Sequence, residues 1–481
     1  MFFSTPFHLE KVMISLMRSS IAMLILTAGM LANAKADQQL PDQPFVLGYT
    51  GALSYAPGEN VEFHLSSSEP TVDLTIARLG SETVELYRQE GVACHPQTIP
   101  DRASSDGCGW PVTFNWQLPA NCKSGYYQVT MKSLGKDPAS GTMFFIVRGA
   151  ESGSTAKILL QLSTNTYNAY TNWGGHSLYG YHDRDGIQGH EVSFDRPIQS
   201  QFGKWELPFV RWAEANGYEL DYAANSDLEF RPEILKQYKL VLSVGHDEYW
   251  SSPMRDHLEQ YIRNGGNVAF FSGNTCCWQV RSSSDGRRIT SWKQTPNMDP
   301  IYRNGDQHLL STAWSHHLVD RPENQLTGVG FLWGGYHRSH GQFMDGSGAF
   351  TVHRPDHWML DGTGMKKADL FGGKDTIVGY ECDGCEMEWV DDLPFPTHRD
   401  GTPESFEIVG TCQARWAPGD SYWYDRFPKD RIGAAVLGSY TSAGGGTVVT
   451  AGTTDWAHGL GGNDPVVMQV TRNVLDRLSK D

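Results

Sequence analysis

Between Lys157 and Ser272 the chain alternates between two hydrophobic periods, and that alternation limits the folds open to it more than any other feature. Lys157-Ile158-Leu159-Leu160-Gln161-Leu162 is an apolar run of strand length. Helix-period residues from Leu207 to Asn216 lead to a second strand at Tyr218 to Ala223. Pro232 to Gln237 reads as a short helix before a third strand at Lys239 to Gly245. Pro253 to Asn264 is helical, with Met254, Leu258 and Ile262 at four-residue spacing, Ser251 or Ser252 as its cap and Gly265-Gly266 as its stop. Asn267 to Ser272 is a fourth strand, and the chain closes with strands at Ala434 to Tyr440 and Gly446 to Ala451 and a helix from Pro465 to Leu478. Strands joined through helices need crossovers, which are right-handed and build a parallel sheet. An open α/β domain is therefore expected over residues 155–481.

Upstream, no helical period is visible. Val61 to Leu65, Val72 to Leu79, Tyr127 to Lys132 and Met143 to Val147 are short strand-like runs between Pro, Gly, Ser and Asp clusters. Residues 40–150 thus read as a β-sandwich of immunoglobulin type. The first segment has a different character. Lys11 and Arg18 precede an apolar run, Ile21 to Leu31, too short to cross a bilayer comfortably. Ala32-Asn33-Ala34 and Ala34-Lys35-Ala36 both fit signal peptidase. Residues 1–36 are expected to be a cleaved export signal, leaving a periplasmic or secreted protein with no stable membrane anchor.

The formal charge of −16 repels phosphate backbones and argues against a nucleic-acid partner. Eight cysteines in a chain of 481 residues do not make a disulfide scaffold. A bridge within Cys94, Cys108 and Cys122 is compatible with export. Cys382-Asp383-Gly384-Cys385 lacks the second CxxC that a four-ligand zinc site needs, so a local disulfide or two unrelated thiols is the expectation.

In an open parallel sheet, ligands bind outside the carboxyl ends of the strands. Three such ends carry dense polar clusters: Ser163 to Gly175 after the first strand, His246-Asp247-Glu248-Tyr249-Trp250 after the third, and Gly273-Asn274-Thr275-Cys276-Cys277-Trp278 after the fourth. Helix capping explains Ser251 but not a His-Asp-Glu-Tyr-Trp run, so these ends are candidate site residues. Familiar arrangements are missing: there is no G-x-S-x-G elbow, H-E-x-x-H, Walker loop or G-x-G-x-x-G at a strand–helix junction. Cys276 or Cys277 follows a strand and is a candidate nucleophile that would need an oriented base. His316-His317 and His337-Arg338-Ser339-His340 lack helical ligand spacing and read as loop residues.

Together, Tyr167-Asn168-Ala169-Tyr170, Trp173-Gly174-Gly175-His176-Ser177-Leu178-Tyr179, Gly245 to Trp250, Phe271-Ser272-Gly273-Asn274, Gly379-Tyr380-Glu381-Cys382-Asp383 and Thr454-Asp455-Trp456 resemble the large (beta) subunit family of N,N-dimethylformamidase. The resemblance runs over roughly residues 45 to 480. It implies an immunoglobulin-like domain before a glutamine-amidotransferase-like α/β domain, and a mononuclear Fe(3+) site held by two tyrosines and one glutamate. Glu248 matches the glutamate. Tyr170 matches one tyrosine, with Tyr167 as its rival, and Tyr127 matches the other, with Tyr126 as its rival. His246, Asn274, Glu381 and Lys293 match catalytic positions around the metal. Phenolate and carboxylate oxygens suit a hard trivalent ion.

The expectation that follows is an iron-dependent hydrolase of a C–N amide bond acting on a small-molecule amide, with self-association left open. Two alternatives remain: an amidotransferase-like cysteine hydrolase using Cys276 or Cys277, and a secreted carbohydrate- or cell-envelope-binding module. Trp173, Trp250 and Trp278 would wall a substrate pocket, stack on a sugar or aromatic ring, or pack beneath the loops.

Overall fold

The computed structural model describes residues 40–150, 155–180, 186–338, 343–416 and 431–480. The proposed export signal lies outside these residues, as does His340. At the centre is a nine-stranded sheet. Its strands run in the order Leu220–Ala224, Ile158–Leu162, Leu240–His246, Asn267–Gly273, Thr447–Thr450, Ile432–Thr441, Glu407–Arg415, Phe350–Val352 and Leu370–Phe371. The first five are mutually parallel and the last four join antiparallel. The expected open parallel sheet is therefore a mixed one. Antiparallel neighbours need no helical crossover, and two of the added strands are only three and two residues long, too short to leave a period in the sequence.

Alternate residues of the parallel strands enter two separate cores. Leu160, Leu242, Val244, Ala269, Phe271 and Val449 pack on the helices Glu206–Ala215 and Pro465–Leu478. Leu159, Val241, Val268, Phe270 and Val448 pack on the helix Ser252–Arg263. Helices thus cover both faces of the parallel half, which is why its strands read as continuous apolar runs. Met254, Leu258 and Ile262 bury the inner face of the last helix, each contributing about 1.5–3 kcal/mol. Ser251 caps this helix by accepting the Met254 N–H at 3.3 Å. Asp464 caps the C-terminal helix through the Val466 and Val467 N–H groups, just before Pro465.

Residues 46–147 form two sheets, of three and five strands, which enclose a core of Val61, Phe63, Leu74, Val129, Met131 and Phe145. The five-stranded sheet turns its other face to the layered part. Tyr126, Phe144 and Ile146 project from it into the same core as Leu160 and Phe209. Across the junction, Arg78 pairs with Glu214 and the Tyr222 N–H donates to Ser124 Oγ at 2.8 Å.

All eight cysteines are free thiols. Cys382 faces one core of the sheet and Cys385 the other, so of the two expectations for the CxxC pair the structure has the two unrelated thiols rather than the local bridge. Cys108 sits apart from Cys94 and Cys122 in a small cluster with Tyr49 and Trp110. Cys122 meets the Tyr127 hydroxyl at 3.1 Å instead of a second sulfur.

The order of the parallel strands decides where a ligand can bind. The first strand, Ile158–Leu162, has the second, Leu220–Ala224, on one side and the third, Leu240–His246, on the other. Chain direction around the sheet reverses between the first and third strands, and the crevice outside their carboxyl ends is the place such folds leave open for ligands.

Candidate active site

His246 ends the third strand and Glu248 follows it. Gly245 has a φ of 83°, and a Cβ there would collide with Trp205. This glycine lets the strand end pass close to Trp205 and present His246. Asp247 points the opposite way, accepting Ser243 Oγ at 2.8 Å and Gln161 Nε2 at 3.0 Å. It anchors the turn, while Glu248 is held from the short helix Thr164–Tyr170 after the first strand by its N–H bond to Thr166 Oγ1 at 3.0 Å.

Three groups converge on the Glu248 carboxylate. The Tyr179 hydroxyl lies 2.8 Å from each oxygen. Trp278 Nε1 donates to Oε1 at 2.7 Å. His246 Nε2 stands 3.2 Å from Oε2 and 2.8 Å from Glu381 Oε2. Lys293 Nζ sits 3.2 Å from the centre of the Tyr179 ring and donates to the Tyr249 hydroxyl at 2.8 Å. Tyr170 completes the group, its ring 4.4 Å from that of Tyr179 and 5.4 Å from His246.

Asn274 follows the next strand, Asn267–Gly273, and Glu381 directly precedes the short strand Cys382–Gly384. Asn274 has a φ of 51°. Its N–H and that of Thr275 donate to the two oxygens of Asp383, each at 3.0 Å, so one carboxylate holds a turn that a non-glycine residue adopts only at a cost. Glu381 is laid across the end of the strand Thr447–Thr450, its carbonyl accepting the Thr454 N–H at 3.1 Å. A Cβ on Gly273 would come within 2.5 Å of that carbonyl. The close approach of the two backbones brings Glu381 to His246.

These side chains are buried, and burial shapes their charge. Burial works to raise the Glu248 pKa, but His246, Lys293 and Tyr179 outweigh it and hold the carboxylate down to about 2. Burial works to lower that of His246, yet Glu381 and Glu248 push it up to about 10. For Glu381 burial prevails and its carboxyl is raised. Burial also brings Lys293 down to about 7, with Glu248 opposing. The result is an anion at Glu248 beside a His246–Glu381 pair that shares a proton.

The sequence-derived residues fall into two groups. Glu248, His246, Tyr170, Asn274, Glu381 and Lys293 surround one volume. Tyr127 does not join them. It is buried in the sandwich core, stacked on Phe145, with its hydroxyl donating to the Lys123 carbonyl at 2.6 Å. Its rival Tyr126 faces the layered part but donates to Ser200 Oγ at 2.8 Å. Tyr167 gives its hydroxyl to the buried Glu206. The tyrosine that does meet Glu248 is Tyr179, which sequence reasoning passed over although it ends the Trp173 to Tyr179 stretch that carries the family resemblance.

Cys276 packs with Trp250 and Met254 in the second core. Burial raises the thiol pKa of both Cys276 and Cys277, the opposite of what a cysteine nucleophile needs. Trp250 is a core residue whose Nε1 donates to the Asp247 carbonyl. Trp173 lines a neighbouring cleft, and Trp278 is a hydrogen-bond donor to the site itself. His316 and His317 stack on each other, and His337 Nδ1 meets the Gln413 carbonyl at 2.8 Å.

A cavity of about 480 Å³, lined by Tyr170, Gln201, Lys204, Trp205, His246 and Tyr380 among others, opens onto this cluster. Among the described residues no three His, Cys, Asp or Glu side chains form a cation site, so a metal here would depend on tyrosine oxygens. The donor set of Glu248, Tyr179 and Tyr170 is all oxygen, as a hard trivalent ion prefers. Next to it, His246 Nε2, Glu381 Oε2 and Asn274 Oδ1 are buried without a hydrogen bond of good geometry. The short His246–Glu381 approach is thus an ion-pair contact rather than a directed bond. Orphaned polar atoms of this kind mark a volume built for a polar occupant. The residues present fit the iron.

The family model for the C-terminal region of N,N-dimethylformamidase beta subunit-like proteins matches residues 74–469. The N,N-dimethylformamidase beta subunits of an Alcaligenes species and of Paracoccus aminophilus are each 26% identical over 452 residues, covering 78% of this chain and 55% of theirs. The chain therefore spans about half the length of these relatives. Among solved structures, the sporulation control protein Spo0M of Bacillus subtilis matches 23% of this chain and 51% of its own at 16% identity, with a TM-score of 0.15, too low to bear on the fold.

Proposed function

This chain belongs to the N,N-dimethylformamidase beta subunit-like family, and from that premise we propose that it is an iron-dependent hydrolase of the C–N bond of a small-molecule amide. The observation that carries the reading is the convergence on Glu248 of Tyr179, Trp278 and His246, with Glu381 on the far side of His246. This cluster lies inside the matched region, at the crevice the strand order leaves open.

Glu248, Tyr179 and Tyr170 would hold a ferric ion. When bound, the ion would polarise an amide carbonyl and make water acidic enough to attack near neutral pH. The protein's own groups account for the rest. Trp278 orients Glu248 through its Nε1–H. Lys293, over the Tyr179 ring, favours the phenolate form of that tyrosine. The His246–Glu381 pair holds a proton beside the cavity and delivers it to the departing amine, which is too basic to leave unprotonated. Asn274, whose side chain carries a donor Nδ2 as well as the unpartnered acceptor Oδ1, orients the substrate amide by donating to its carbonyl.

The same reading takes the sandwich as immunoglobulin-like and the layered part as amidotransferase-like. It also takes the protein as exported, on the strength of Lys11, Arg18 and Ile21 to Leu31. Among the described residues no helix is long and apolar enough to cross a membrane. Amine release from N,N-dimethylformamide by the iron-loaded protein is the direct test. Wild type should release amine and show a visible phenolate-to-iron band, and Glu248→Ala should lose both. Full turnover by Glu248→Ala would exclude this site.

A further inference from the structure

A second cavity lies against the one at His246. Asn172, Gln199 and Ser200 line both that cavity and a second one of about 610 Å³. The second lies between the sandwich and the layered part, walled by Leu79, Met143 and Phe144 on one side and Ile198, Phe202 and Leu207 on the other. Among the described residues, none fills this space from either side. Thr142 points into it exposed, and Gln128, Ile198 and Ser200 are only half-buried.

Two properties say what would occupy it. A simple dialkylformamide has few atoms, whereas each of the two adjoining spaces is within the range of about 300–1,000 Å³ that holds a drug-sized ligand. Both walls are mixed. The catalytic cavity sets Lys204, Gln201 and His246 beside Tyr170, Trp205 and Tyr380, and the cleft beyond Ser200 sets Met143, Ile198 and Phe202 beside Gln128, Thr142 and Gln199. A ligand spanning both needs an amide head and a long substituent with apolar surface for the Met143, Ile198 and Phe202 side of the cleft.

We infer that the cleft between the two parts is a substrate subsite, and that the natural substrate is an amide carrying an extended apolar or ring-bearing substituent. The amide group lies at His246 and the substituent passes Ser200 to rest against Met143, Ile198 and Phe202. This inference rests on the amide-hydrolase reading for the identity of the head group, but not for the existence of the subsite. Specificity would then be set partly by the sandwich, which contributes Leu79, Gln128, Thr142, Met143 and Phe144 to the wall without touching the catalytic carboxylates.

The test uses the full chain and two probes, N,N-dimethylformamide and N-(4-phenylbutyl)formamide. Thr142→Trp and Gln128→Trp each place an indole in the cleft from the solvent side of a strand, and circular dichroism reports whether each folds. Calorimetry on the metal-free protein, which needs no turnover, should show the long formamide binding wild type and at least ten-fold weaker binding to both variants. In the iron-loaded protein, the ratio of kcat/KM for the long over the short amide should fall at least ten-fold. Absence of long-probe binding to wild type, affinity unchanged by both substitutions, or an equal loss on both probes overturns the inference. If binding follows the prediction but neither amide is hydrolysed, the subsite stands and the amide-hydrolase reading falls.

Discussion

Tyr179 and Tyr127 are both buried or half-buried phenols, but their hydroxyls have different tasks. Tyr179 spans the two oxygens of Glu248, while Tyr127 ties its own strand to the Lys123 carbonyl. Tyr179→Phe should abolish the visible iron band and reduce iron per chain at least ten-fold. Tyr127→Phe should keep both and lower stability by about 1 kcal/mol, the worth of one hydrogen bond. Metal analysis and urea titration of the two proteins check this. Glu248, His246 and Asn274 were legible from sequence because each follows an apolar strand run directly, where the fold leaves room for chemistry. The tyrosines were not, because neighbours in a strand face opposite ways. Whether Tyr126 or Tyr127 looks toward the layered part depends on which face of the five-stranded sheet packs there. Tyr179 stands nine positions beyond Tyr170, in a segment with no period to reveal its direction.

Among the elements, the turn after Asn267–Gly273 makes the plainest prediction. Asp383→Ala leaves the Asn274 and Thr275 N–H groups buried and unpaired, at about 1–3 kcal/mol each. The turn should relax out of its positive-φ form, with kcat falling more than KM rises. Asp383→Asn keeps one acceptor oxygen and should recover part of both stability and kcat. Gly245→Ala should act at the preceding strand end: both its φ of 83° and the clash with Trp205 oppose a side chain. Thermal unfolding should detect a loss of more than 1 kcal/mol, with activity reduced in the folded fraction. The parallel strands and their helices were readable because two-sided burial and amphipathic spacing leave strong patterns. The antiparallel half was readable only at Ile432–Thr441, since Phe350–Val352 and Leu370–Phe371 owe their pairing to neighbours rather than to their own composition.

Across the whole molecule, Arg78 and Glu214 join the two parts with side chains only 7% and 8% exposed. Burial opposes the charge on Glu214, but hydrogen bonding to Arg78 and to the Ser81 N–H outweighs it and holds the carboxyl below its ordinary value. Its contribution to stability is therefore complete above the ordinary carboxylate range and is lost as pH falls through the lowered native value. Unfolding followed from pH 7 to pH 3 should show this loss in wild type and a smaller dependence in Glu214→Ala. That substitution strands Arg78 and should cost about 3–5 kcal/mol at neutral pH. The division into an all-β part and a layered part was visible in sequence as the change of period near Ala156. How the two parts meet was not, because Arg78 and Glu214 are 136 positions apart and nothing local marks either as a partner.

The strand Thr447–Thr450 lies in the middle of the nine-stranded sheet although it is far along the chain from Asn267–Gly273, the strand it flanks. Until it arrives, Asn267–Gly273 has a bare flank of amide and carbonyl groups, open to mispairing with another copy. Glu381 likewise has no strand end to rest on. A chain in which this strand is deleted or not yet inserted should therefore be sticky and inert, and should acquire its catalytic pair only when the strand takes its place.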